Sequence, residues 1–110
     1  MSGGGSGGSP YDTTGEVQID CAKLVERTYI NSAVPELVAP IKVGDALGVE
    51  VRIVDGAATL IAFNDQHQIV GSLTPPRLPQ IVACLQKGFS YEAIVLEKSG
   101  GRIKVEIRAP

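Results

Sequence analysis

Leu47-Gly48-Val49-Glu50-Val51-Arg52-Ile53-Val54-Asp55-Gly56-Ala57-Ala58-Thr59-Leu60-Ile61-Ala62-Phe63 is the stretch that decides the fold. Leu47, Val49, Val51 and Ile53 recur at every second position, the period of a strand with one buried face. Asp55-Gly56 is the dipeptide favoured in a two-residue type I′ loop, because both central residues there need positive φ. Residues 59–63 resume the β-type composition beyond it. The two strands are therefore expected to pair antiparallel.

Working outward, Asn64 to Gln68 reads as a polar turn, and Ile69-Val70-Gly71-Ser72-Leu73 as a short strand whose glycine permits a bulge or a close backbone approach. The period then changes. Leu78, Ile81, Val82 and Leu85 form an i, i+3, i+4, i+7 stripe that ends at Lys87-Gly88, so the pattern predicts a helix over about residues 77–87. Pro79 fits only in its first turn, where the missing N–H has no intrahelical partner to lose. Residues 89–98 and 102–108 are β-rich runs around Ser99-Gly100-Gly101, and in the last of them Ile103, Val105 and Ile107 alternate with Arg102, Lys104, Glu106 and Arg108.

Upstream, Val17, Ile19 and Cys21 alternate with polar residues and Val25, Thr28, Tyr29 and Ile30 continue the β character, giving one or two strands over residues 16–30. Pro35 and Pro40 leave at most one helical turn between them. Residues 1–9 are only Gly and Ser after the methionine, and residues 1–15 read as a flexible leader ahead of a single domain over residues 16–110. The expected fold is mainly β: a small barrel or curled antiparallel sheet of about six to seven strands, with the one helix covering an opening.

At 110 residues and 44% apolar composition the chain makes one core and excludes a multidomain enzyme. The formal net charge of −2 excludes a polybasic arm and an acidic tail. There is no long apolar run and no signal-peptide pattern, so a cytoplasmic protein with no membrane partner is expected. Cys21 and Cys84 have no neighbouring Cys or His to complete a metal site, and in a reducing compartment they are expected as small buried thiols rather than a disulfide. His67 lies in a polar turn. Asp45, Asp55 and Asp65 fall in turns, where aspartate serves the backbone, although a deep pocket holding two of them would argue for acid–base chemistry. No nucleophile elbow, Walker loop or dinucleotide glycine pattern is present, so no catalytic residue, metal or cofactor is assigned and the chain is read as noncatalytic.

Charge is unevenly placed: residues 1–65 carry a net −5 and residues 66–110 a net +3. Lys98, Arg102, Lys104 and Arg108 decorate the last hairpin, and Phe89 and Tyr91 stand at strand spacing beside them. Together they suggest a platform for single-stranded nucleic acid, with phosphate contact from the cations and base stacking on Tyr91. The competing expectation is that Glu92, Glu97 and Glu106 pair with these cations across strands.

The run Asp55-Gly56-Ala57-Ala58-Thr59-Leu60-Ile61, followed by Ile69-Val70-Gly71-Ser72-Leu73, an apolar stripe ending in Lys87-Gly88 and a run beginning at Phe89, resembles the HIRAN domain. The resemblance covers about half the chain. It implies a small β-barrel and a grip on the 3′ end of single-stranded DNA. Of the family pattern Asn-Pro-x-Asp-x-Asn-Ala, Asp55 and Ala58 match, whereas Arg52 and Ile53 stand in place of Asn-Pro and Ala57 in place of the second Asn. Asp55 alone is carried over as a family position. Two functions follow as expectations. One is a nucleic-acid-binding barrel using Arg102, Lys104, Arg108, Lys98, Tyr91 and Asp55. The other is a protein-interaction or regulatory accessory domain that docks a partner or a second copy on an exposed strand edge or through the loop from Asn31 to Pro40.

Overall fold

The computed structural model describes residues 20–110. The expected leader, and the alternation at Val17 and Ile19, lie outside the described residues. Six strands follow in the order β1 (Glu26–Asn31), β2 (Ala46–Val54), β3 (Ala57–Phe63), β4 (Ile69–Leu73), β5 (Glu92–Ser99) and β6 (Arg102–Arg108). Two helices interrupt them, α1 (Pro35–Val38) and α2 (Leu78–Gln86). All pairings are antiparallel, and the sheet closes as β1-β4-β3-β2-β5-β6. The mainly β barrel expected from the sequence is thus closed, with six strands and a second, one-turn helix between the two prolines.

Local chemistry explains the connections. Asp55 and Gly56 both take positive φ, 50° and 80°, as a type I′ loop requires. Pro79 sits in the first turn of α2, and Gly88 ends the helix region at φ 99°. Gly71 faces β1: a Cβ there would stand 2.5 Å from Ile30 Cγ2 and 2.6 Å from the Asn31 carbonyl oxygen, so β4 can approach β1 only without a side chain. The β1–β4 seam is short, with Ile30 opposite Leu73 and Asn31 opposite Ser72. It is reinforced by Asn31 Nδ2 donating to Thr74 Oγ1 at 2.8 Å and Val34 N–H donating to Val70 O at 2.9 Å.

The core fills the barrel with alternate residues, among them Leu60, Leu73, Val95, Ile103, Val105 and Ile107, each 1% exposed or less. Helix α2 adds Ile81 and Cys84 to this cluster, with Leu78 and Leu85 packed against it. Its start is fastened to β1, since Glu26 accepts from the Arg77 backbone N–H at 2.9 Å and from Arg77 Nε at 3.2 Å. The carboxylate thereby satisfies one of the N–H groups that a helix start leaves without an intrahelical partner.

Cys21 and Cys84 form a disulfide, which corrects the expectation of free thiols. Both are buried as expected, at 6% and 2% exposure, but Cys21 does not lie in a strand. It occupies a turn just before β1, where the chain passes over α2 and brings the two Cα atoms to 5.7 Å, within bonding reach. The expectation of free thiols rests on the premise of a reducing compartment, and the Cys21–Cys84 bond removes support for that premise. Among the described residues, no helix is long and apolar enough to cross a membrane.

Candidate nucleic-acid interface

Strand β6 alternates as expected, with Ile103, Val105 and Ile107 buried and Arg102, Lys104, Glu106 and Arg108 on the outer surface. Its neighbour β1 presents Arg27 and Tyr29 outward, with Arg27 directly opposite Glu106 and Tyr29 opposite Lys104. Arg102, the diagonal neighbour of Tyr29, lies over its ring with Cζ 4.2 Å from the centroid. That geometry is a cation–π contact, and Tyr29 remains 37% exposed beneath it.

The other cations on this face have carboxylate partners. Glu106 accepts from Arg27 Nε at 3.1 Å and from Arg108 Nη1 at 3.3 Å, and Lys104 Nζ stands 4.0 Å from Glu97. Glu92 is directly opposite Arg108. The competing expectation holds for two of its three carboxylates, since Glu106 and Glu97 pair across strands with Arg27 and Lys104, whereas Arg108 pairs with Glu106 along its own strand and Glu92 makes no ion pair among the described residues. Lys104 and the exposed Glu97 make the kind of surface pair worth under about 1 kcal/mol, which reorganises readily when a stronger anion arrives, whereas Glu106, only 13% exposed, is held between Arg27 and Arg108. Arg102 has no salt bridge among the described residues.

The structure brings Arg102, Lys104 and Arg108 together and leaves the other three sequence-assigned residues elsewhere. Tyr91 is 4% exposed and donates its hydroxyl to the Cys21 carbonyl, so its ring cannot receive a base. Strand β5 begins only at Glu92, so Phe89 and Tyr91 do not share a strand face: Phe89 is exposed while Tyr91 is buried. Burial, and after it the negative charge of Asp20, push the Tyr91 phenol above its ordinary range.

Lys98 is likewise a structural residue. A bulge places Leu96 as an extra residue between the pairs Val95 opposite Val105 and Glu97 opposite Lys104, and the alternation of β5 slips by one. Lys98 then pairs with Ile103, on the core side of the sheet, and its ammonium donates to the carbonyls of Val38, Ala39 and Ile41 at 3.1, 3.0 and 2.9 Å. Val38, whose carbonyl also accepts the Ile41 N–H, and Ala39 stand at the end of the single turn α1, and Ile41 lies just beyond it. Asp55 stands at the tip of the β2–β3 hairpin, with β5 separating β2 from β6. Arg27 and Tyr29 escape a reading of the sequence because their alternation with Thr28 and Ile30 is visible there while the identity of the strand beside them is not.

A cleft of about 400 Å³ between α1, the start of β2 and the β3–β4 turn is lined by Asp45 and Asp65 together with Leu37, Ile41, Leu47 and Asn64. Two of the turn aspartates do share a cavity. Asp45 accepts the Lys42 N–H at 2.9 Å, and Asn64 Oδ1 accepts the N–H groups of Gln66 and Gln68, so this polar lining shapes turns. Both aspartates are exposed, and no basic or nucleophilic side chain lines the cleft with them. His67 is exposed in the same turn, its ring 5.0 Å from that of Phe63. No cluster of three or more potential metal ligands occurs among the described residues.

No family model matches this chain, and neither a curated protein nor a solved structure matches it.

Proposed function

We propose that this barrel is a noncatalytic binding module for single-stranded nucleic acid, contacted through the outer face of β1 and β6. The observation that carries the reading is the Arg102–Tyr29 pair, a cation over an exposed aromatic ring and flanked by Arg27, Lys104 and Arg108 on adjoining strands. An incoming phosphate can reach Arg27 and Arg108, whose side chains are exposed beside Glu106, and draw Lys104 from the exposed Glu97, while the Arg102–Tyr29 pair offers a base a planar stacking surface. The resemblance to the HIRAN domain supports a barrel that takes single-stranded DNA, but with Asp55 on a different hairpin it supplies no second contact to this face. Binding would rest mainly on phosphate contacts and tolerate sequence.

Fluorescence anisotropy with short labelled single strands tests this. About three phosphate contacts give roughly a twentyfold loss of affinity between 50 and 200 mM salt. Absence of binding at tens of micromolar protein in low salt eliminates the proposal.

A further inference from the structure

Strand β2 outruns its partner on one side. It pairs with β3 from Gly48 to Val54, but with β5 only at Ala46, Leu47 and Gly48. Strand β5 begins at Glu92, opposite Gly48, and the chain before it turns back to α2, where the Phe89 N–H donates to the Cys84 carbonyl at 3.1 Å. Among the described residues, no turn or loop backbone bond reaches residues 49–54. The β2–β3 hairpin thus runs past the barrel as an arm whose β2 edge is open over residues 50–54. Its inward-facing row continues from Val49 and Val51 to Ile53, at 68% the most exposed large apolar side chain among the described residues. An open edge carrying an exposed apolar row accepts another strand.

The chain itself supplies a strand at this place. In the closed order β1-β4-β3-β2-β5-β6, β1 and β2 are three strands apart in either direction, on opposite sides of the barrel. The segment leading into β1 starts on the β2–β5 side, because Cys21 is bonded to Cys84 of α2 and its carbonyl accepts the hydroxyl of Tyr91, the residue just before β5 joins β2. The described chain therefore begins, at Asp20, near the Tyr91 end of the open edge. Directly upstream, Glu16-Val17-Gln18-Ile19 alternates polar with apolar residues, the period of a strand with one buried face. We propose that residues 16–19 add to the open β2 edge as a seventh strand of the barrel. Because they lead toward the Tyr91 end while β2 runs away from it, the pairing is antiparallel, and directly opposite residues share a face. Ile19 opposite Val51 and Val17 opposite Ile53 lay both apolar side chains on the exposed row. The same register sets Gln18 opposite Arg52 and Glu16 on the diagonal from Arg52, an attractive pair. A slip of one residue turns Val17 and Ile19 onto the charged face. A slip of two toward the barrel drives Ile19 against Val49, where the chain at Tyr91 already lies, and a slip of two the other way carries Val17 past the end of β2. In the proposed register pairing stops at Val51, short of Tyr91 and Glu92. Asp20 then opens the turn over α2, its carboxylate accepting the Ala22 N–H at 3.1 Å. The arm lies apart from the β1–β6 face, so this strand does not depend on nucleic-acid binding.

Nuclear magnetic resonance on the full chain with its disulfide intact tests the strand and its register together. Side-chain Overhauser contacts are expected between Ile19 and Val51 and between Val17 and Ile53. Alternate amides over residues 50–54, those not bonded to β3, exchange slowly and to the same extent in dilute and concentrated samples. Ile19→Asp, a change outside the described barrel, speeds exchange of those amides by at least about tenfold while β5 and β6 keep their protection. Absence of both Overhauser contacts overturns the proposal, as do edge amides that exchange alike in wild type and Ile19→Asp. Contacts from Val17 to Val51 in place of Ile53 overturn the register. Protection that rises with protein concentration assigns the edge to a second copy and overturns the proposal as well.

Discussion

The β2–β3 and β5–β6 hairpins are both antiparallel, both turn on glycine and both alternate apolar with charged residues, yet Ile103 on β6 is fully buried whereas Ile53 on β2 is 68% exposed. The difference lies in the neighbours. Strand β6 is flanked by β1 from Glu26 to Tyr29 as well as by β5, so its inward row closes over a core and its outward charges meet partners on both sides. Beyond Gly48, β2 keeps only β3. An alternating pattern specifies which residues share a face, and the length of the adjoining strands decides whether that face is covered.

The same substitution in the two hairpins gives the largest contrast. Ile103→Ala opens a cavity in the barrel and is expected to lower unfolding free energy by about 3 kcal/mol, whereas Ile53→Ala, which loses at most a cross-strand contact, stays within about 1 kcal/mol. Urea denaturation of both variants measures this. Equal effects would mean that the arm is packed as the rest of the barrel is.

A smaller contrast separates two lysines of one hairpin. Lys98→Met takes the ammonium donor from the carbonyls of Val38, Ala39 and Ile41 and is expected to destabilise by about 1–2 kcal/mol. Lys104→Met removes only an exposed ion pair, with an expected effect under about 0.5 kcal/mol. Thermal unfolding of the two variants side by side distinguishes the structural lysine from the surface one.

Much of this fold is legible in the sequence because its signals are local. Asp55-Gly56 determines its own turn, Pro79 and Gly88 bracket the helix, and Ile103, Val105 and Ile107 mark the buried face of the last strand. What is not legible depends on register and on contacts between distant segments. The extra residue Leu96 reverses the parity of β5, and nothing in the alternation of its sequence announces the slip, so the pattern alone puts Lys98 on the wrong face. Cys21 and Cys84 meet only because the segment before β1 crosses α2. Tyr91 reads as a surface aromatic until the same segment covers it. Arg27 and Tyr29 join the cationic face only once β1 is known to lie beside β6.

The smallest expected effect concerns Tyr91 and appears only at alkaline pH. Its phenol titrates above the unfolded value near 10, so the unfolded chain releases the proton first as pH rises. The stabilisation is complete below about pH 10 and is lost as pH climbs through the folded value. Tyr91→Phe is expected to remove that alkaline loss, together with the bond to the Cys21 carbonyl. A pH series of denaturation midpoints in which wild type and variant keep the same slope above pH 10 would contradict this assignment.

The most direct test of the proposed function removes one arginine from each hairpin and compares the affinity of the two variants for a labelled single strand in low salt. Arg102→Ala, which strips the cation from the Tyr29 ring, is predicted to weaken binding by at least about fivefold, while Arg52→Ala on the arm leaves it unchanged. Equal losses, or an Arg102→Ala variant that binds like wild type, would contradict the placement of the nucleic-acid site on β1 and β6.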